Sequence, residues 1–125
     1  MPYEVALDKD NKIVMVRVSG LATIDEHLAA RKQAFQLCVK KTYNRVLVDL
    51  HDLDTQGVAS TLGCLKFGES LANEKLPKDI RIAHVLPEQG QSRSDVEFTS
   101  TVAANRGRLV AEFRTLEDAR QWLLQ

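Results

Sequence analysis

Hydrophobic positions alternate with polar ones from the start of the chain: Tyr3, Val5 and Leu7 are separated by Glu4 and Ala6, a two-residue period that predicts a half-buried strand. The turn-forming run Asp8-Lys9-Asp10-Asn11 follows, and then an apolar stretch from Ile13 to Val18, so the first two elements read as an antiparallel β-hairpin. Ser19-Gly20 breaks the second strand. Beyond it the period changes. Ile24, Leu28, Phe35 and Cys38 share one stripe at helical spacing, and Thr23 and Glu26 have the spacing of a capping box, in which each side chain satisfies the other's backbone N–H. Asp25 and Glu26 at one end and Lys40 and Lys41 at the other complement the helix dipole.

The second half repeats strand and helix. Val46-Leu47-Val48 is a continuous apolar run ending in Asp49, which predicts a central strand covered on both faces. Residues 51–57 are polar and read as a loop, and residues 59–74 predict a helix with Leu62, Leu65, Phe67 and Leu71 as its apolar positions. Gly63 and Gly68 weaken that helix by about 1 kcal/mol each, which close packing against a neighbour would offset. Pro77 ends it, residues 81–86 form another apolar strand, and residues 87–92 form a loop by composition. Ser94 and Glu97 have capping-box spacing ahead of a helix carrying Val96, Val102 and Ala103, which closes at Asn105-Arg106-Gly107. Residues 109–113 are the last strand. Thr115 with Asp118 caps a final helix whose Leu116, Ala119, Trp122 and Leu123 are expected to face inward.

Five strands and four helices in this order predict an α/β domain: a mixed, mostly parallel sheet with an antiparallel hairpin at its start and right-handed crossovers thereafter. Ligands and partners of such sheets meet the loops beyond the strands' carboxyl ends. Here those are residues 20–23, 51–57, 87–94 and 114–115.

A length of 125 residues suits one domain with one core, and 44% hydrophobic with 27% charged residues is ordinary globular composition. Seventeen basic residues balance seventeen acidic ones, so no net field draws the chain to nucleic acid or to a membrane surface. No apolar run reaches the roughly 20 residues that span a bilayer, and Met1-Pro2-Tyr3-Glu4-Val5 lacks the pattern of a signal peptide, so the expected location is the cytoplasm. The two cysteines, Cys38 and Cys64, lie in helical patterns beside apolar residues and are expected to be buried free thiols.

The element order resembles STAS domains, the anti-sigma-factor antagonist (SpoIIAA-like) family, whose fold is often grouped with Sec14-type lipid-binding domains. The residues that carry the resemblance are Val16-Arg17-Val18-Ser19-Gly20, Tyr43 to Leu50 as the central strand, Arg81-Ile82-Ala83-His84-Val85, Asn105-Arg106-Gly107, and Phe113 with the terminal Ala119 to Leu123. They are mostly packing positions and bear on fold more than on activity. In phosphorylated members the loop after the central strand carries Asp-Ser-Ser-Gly, with the second serine as acceptor. The matching residues here are Asp54-Thr55-Gln56-Gly57. Gln56 in the acceptor place has no hydroxyl, which leaves Thr55 and Ser60, with Thr61 beyond, as the nearby groups that a kinase could modify.

His51, Asp52 and Asp54 could act as metal ligands or as a base with its orienting carboxylate, or form a solvated polar loop. His84 lies within a strand and is expected in the core or on a sheet face, whereas His27 is expected at the surface of the first helix. Arg93 and Ser94, with Ser92, could hold an anion at a helix start, although capping alone accounts for the serines. Arg106, Arg108 and Arg114 could make a small basic patch or a scattered solvated face. No GxGxxG, P-loop, GxSxG or HExxH pattern occurs. The expectation is a non-enzymatic regulatory or protein-interaction module without a cofactor or metal, which meets a protein partner through the loop after Asp49 and the adjacent helix of residues 59–74, and which could pair with a second copy of itself. The alternative is a domain that binds a small apolar ligand or lipid, resembling Sec14-type domains, in a pocket between the helix of residues 59–74 and the sheet.

Overall fold

The computed structural model describes residues 3–21, 23–54, 79–87, 91–107 and 109–125. The helix expected over residues 59–74, together with Cys64, Pro77 and Arg108, lies outside the described residues.

Strands β1 (Tyr3–Asp8), β2 (Ile13–Val18), β3 (Arg45–Asp49), β4 (Arg81–Val85) and β5 (Leu109–Phe113) form one sheet in the order β1-β2-β3-β4-β5. β1 and β2 are antiparallel, and every later pairing is parallel. β3 is therefore the central strand, as its apolar run predicts. Asp8 shapes the hairpin turn by accepting hydrogen bonds from the backbone N–H of Asn11 at 3.3 Å and from its Nδ2 at 3.0 Å. Its carboxyl is held below the ordinary carboxylate range by these bonds and by Arg120, which reaches it from the end of the chain.

Three helices are described: α1 (Ile24–Lys41), α2 (Gln91–Asn105) and α3 (Leu116–Leu123). The capping box of α1 is formed, with Glu26 N–H donating to Thr23 Oγ1 at 3.2 Å and Thr23 N–H donating to Glu26 Oε1 at 2.8 Å. At its other end Thr42 adopts a left-handed conformation (φ 60°). Tyr43 N–H then donates to Cys38 O and Thr42 N–H to Val39 O, the paired bonds of a Schellman motif. α2 begins at Gln91, three residues before the expected cap at Ser94, so Ser94 sits inside the first turn instead of at the helix start. Its C-terminus does close at Gly107, with φ of +98°. Thr115 caps α3 by accepting from Asp118 N–H at 3.1 Å.

The two-residue period of the strands divides the core between the sheet faces. On one face Val14, Val16, Val18, Val46 and Ile82 pack with Ala30, Ala34, Phe35 and Cys38 of α1 and with Val96 and Ala103 of α2. On the other, Ile13, Leu47, Ala83 and Val85 pack with Ala119 and Leu123 of α3. The inward stripe of α1 is thus centred on Ala30, Ala34 and Cys38, small residues that bring the helix close to the sheet, while Leu28 is only half-buried. Leu116 was expected in the core, but it is 44% exposed because it lies on the first turn of α3, ahead of the turn that reaches the sheet. His27 is half-buried rather than fully exposed, and burial lowers the proton affinity of its imidazole.

α3 is held end-on by two arginines. Arg45 donates from Nε to Leu123 O at 2.7 Å and from Nη1 to Asn11 O at 2.8 Å. Arg81 donates from Nη1 to Trp122 O at 3.1 Å and to Gln125 O at 3.0 Å, and its guanidinium lies 5.5 Å from the Trp122 ring centroid. Cations at the negative end of the dipole thus satisfy carbonyls that the helix cannot.

Candidate functional site

The carboxyl ends of the parallel strands lie together on one rim, and backbone hydrogen bonds join the segments that leave them. Leu50 N–H donates to Val85 O at 2.9 Å, and Leu86 N–H donates to Phe113 O at 2.9 Å. After β3 the chain turns through Leu50, whose carbonyl accepts from Leu53 N–H at 3.0 Å, and then rejoins the segment after β2. Gly20 N–H donates to Asp52 O at 3.0 Å, Asp54 N–H donates to Gly20 O at 2.9 Å, and Gly20 and Leu53 form an isolated parallel bridge. Gly20 has φ of +68°, which its lack of Cβ permits. Leu50 and Leu53 are buried in the core, so the turn is pinned from below while His51 and Asp52 face solvent.

The exposed side chains of this turn form a linked set. Arg17 Nη2 donates to Asp52 Oδ2 at 2.7 Å, and His51 Nδ1 lies 3.1 Å from Asp52 Oδ1. Asp49 Oδ1 accepts from His51 N–H at 3.1 Å. The sheet register places Arg17 between Glu4 on β1 and Asp49 on β3. Hydrogen bonding to Arg17 first and to His51 second holds the Asp52 carboxyl below its ordinary range. The bond to Asp52, reinforced by Asp49 and Glu4, raises the proton affinity of the Arg17 guanidinium in turn. The Arg17 and Asp52 side chains are 57% and 52% exposed, so solvent screens the pair and its main effect is to order the turn. Glu4, Ala6 and Arg17 are exposed on the same sheet face beyond α3.

His51 and Asp52 do have the contact of a base with an orienting carboxylate, but Asp52 is shared with Arg17. No group of three or more His, Cys, Asp or Glu among the described residues is arranged to hold a metal ion. Thr55, Gln56, Gly57 and Ser60, which carry the expected phosphorylation segment, lie outside the described residues. Arg93 and Ser94 are the third and fourth residues of α2, and Arg93 Nε forms an i,i+4 ion pair with Glu97 Oε1 at 3.2 Å. Arg106 and Arg114 are both exposed, but they sit before and after β5 and so lie at opposite ends of that strand.

A second surface feature lies on α1. A groove of about 580 Å³ is lined by Leu28, Phe35 and Val39 together with Arg31, Lys32, Gln36 and Lys40. Val39 is 63% exposed there. Cys38, one residue away, is buried in the core, and burial pushes its thiol up to about 11, which keeps it protonated and unreactive.

His84, expected in the core or on a sheet face, has a partner that its position in the sequence does not reveal. His84 Nδ1 lies 2.6 Å from Ser100 Oγ, and both side chains are buried. Its signal was a polar residue on the apolar side of two neighbouring elements, since buried polar groups are paired. Among the described residues no helix is long and apolar enough to cross a membrane. In comparisons with known proteins, the chain matches no family model and no curated protein.

Proposed function

We propose that this chain is a non-enzymatic interaction module that meets a protein partner through the rim at the carboxyl end of β2 and β3. The observation that carries this reading is the turn of residues 50–54. Its backbone is fixed to Gly20, its apolar side chains are buried, and its exposed His51 and Asp52 are linked to each other and to Arg17. A surface ordered in this way loses little conformational entropy on binding, so its contacts convert efficiently into affinity. The resemblance to STAS domains points to the same rim, and Gln56 in the acceptor place favours recognition that does not depend on phosphorylation at that position.

Tagged protein incubated with lysate of the host, with light scattering on the eluate, tests the proposal when run beside the charge reversals Arg17→Glu and Asp52→Arg and the double exchange. A protein species, or a second copy of the chain, that is retained by wild type, lost with each single reversal and partly recovered with the double exchange supports the reading. Equal retention by all four chains, or a lone monomer throughout, contradicts it.

The groove on α1 favours a second reading, a binder of a small apolar ligand. Leu28, Phe35 and Val39 give it apolar lining residues and Arg31, Lys32 and Lys40 basic ones, a combination that suits an apolar molecule with an anionic end. Native mass spectrometry of freshly purified protein separates the two readings. A defined added mass that Val39→Glu abolishes selects the ligand, and a clean apo mass selects the partner.

A further inference from the structure

α2 is held to the sheet by small side chains. Those described as buried on it are Val96, Ser100, Val102 and Ala103, none larger than valine. In the middle of this face, Ser100 (1% exposed) meets His84 of β4 (8% exposed) at 2.6 Å, a direct polar link between helix and sheet.

The described charged groups around this link come from two elements. Glu112 of β5 is the ladder neighbour of His84 and lies on the same sheet face. Glu97, one turn before Ser100 on α2, raises the proton affinity of Glu112, and Arg93, paired with Glu97, lowers it. The ladder neighbour on β3 is the apolar Val48. Burial depresses the His84 imidazole to about 4, so it is neutral in the folded protein at neutral pH. Burial first, and then Glu97, holds the Glu112 carboxyl above its ordinary range, so it takes up its proton early as pH falls. A Glu112 carboxyl held above its ordinary range is a poorer counter-ion for a cation at His84 as pH falls.

We propose that the His84–Ser100 contact is an acid-sensitive latch: proton uptake by His84 frees α2 from the sheet while α1 and the strands stay folded. For a group with lowered affinity, the closed state binds fewer protons than the open one. The latch contribution is thus fully present above about pH 6.5, the ordinary imidazole value, and is lost as pH falls from there towards 4. Glu112 has the opposite sign, since its closed state binds more protons, and it opposes the loss.

Backbone hydrogen exchange of the whole chain, corrected for intrinsic rates, tests this between about pH 7.5 and 4.5. The expected result is a fall in protection of residues 91–105 approaching roughly tenfold per pH unit below about pH 6, with a smaller change over residues 24–41. In His84→Gln, whose amide can still reach Ser100 but does not titrate, the acid loss of protection over α2 is absent, leaving only the opposite, Glu112-linked trend. Protection of α2 that does not vary with pH in wild type, an equal acid loss in His84→Gln, or a parallel loss over α1 would overturn the latch. Should that variant fail to fold, the ring-proton titration of wild-type His84 decides. A midpoint well below 6.5 that moves with α2 resonances sustains the proposal, and an ordinary midpoint with α2 unmoved overturns it.

Discussion

Thr42 carries a cost that its neighbours impose. It must take φ of 60° to turn the chain out of α1 and let Tyr43 bond back to Cys38, yet a β-branched residue is poorly suited to the left-handed region. The side chain is exposed, so nothing in the core requires threonine there. Thr42→Asn keeps the geometry and relieves the crowding, and it should stabilise the protein by about 1 kcal/mol in urea unfolding. A loss of stability would show that the hydroxyl or methyl makes a contact that outweighs the backbone strain. Gly20 and Gly107 show the same demand met by the residue suited to it.

At the scale of elements, α3 is short and depends on what receives it. Two guanidinium groups take up carbonyls of its last turn and of the chain beyond, while Ala119 and Leu123 fill the sheet face below. Arg45 joins that helix end to the hairpin turn through Asn11 O, and a lysine lacks the forked donors for both bonds. Arg45→Lys should therefore recover little of the roughly 2–3 kcal/mol lost in Arg45→Ala, measured by denaturant midpoint at unchanged slope. Full recovery by lysine would mean that charge at the helix end suffices without the fork.

Local chemistry made these elements legible in the sequence. Thr23 with Glu26 and Thr115 with Asp118 gave two helix starts, the alternation from Tyr3 to Val18 gave the hairpin, and Val46-Leu47-Val48 gave the central strand. The start of α2 was misplaced because a serine with a glutamate three residues on has the same spacing at a cap and inside a first turn. The clamp of Arg45 and Arg81 on α3 was not legible at all, since its partners are carbonyls 78 and 41 residues away. The same applies to the candidate site. The polar turn could be read from His51, Asp52 and Asp54, but its link to Arg17 across 35 residues depends on the β2–β3 register.

For the whole molecule, the sheet order places the two kinds of surface at different positions. The ordered turn lies at the carboxyl rim of β2 and β3, the β1–β2 hairpin turn lies at the opposite end of the same strands, and the groove runs along α1. A module that works through its rim should be contacted there and not at the hairpin. Site-specific photocrosslinking in the host, with the probe at His51 or at Asp10, tests this most directly, because both positions are exposed and lie at opposite ends of the parallel β2–β3 pair. A discrete adduct from position 51 that is absent from position 10 is the result this account predicts, and the same adducts from both positions, or none from position 51, would contradict it.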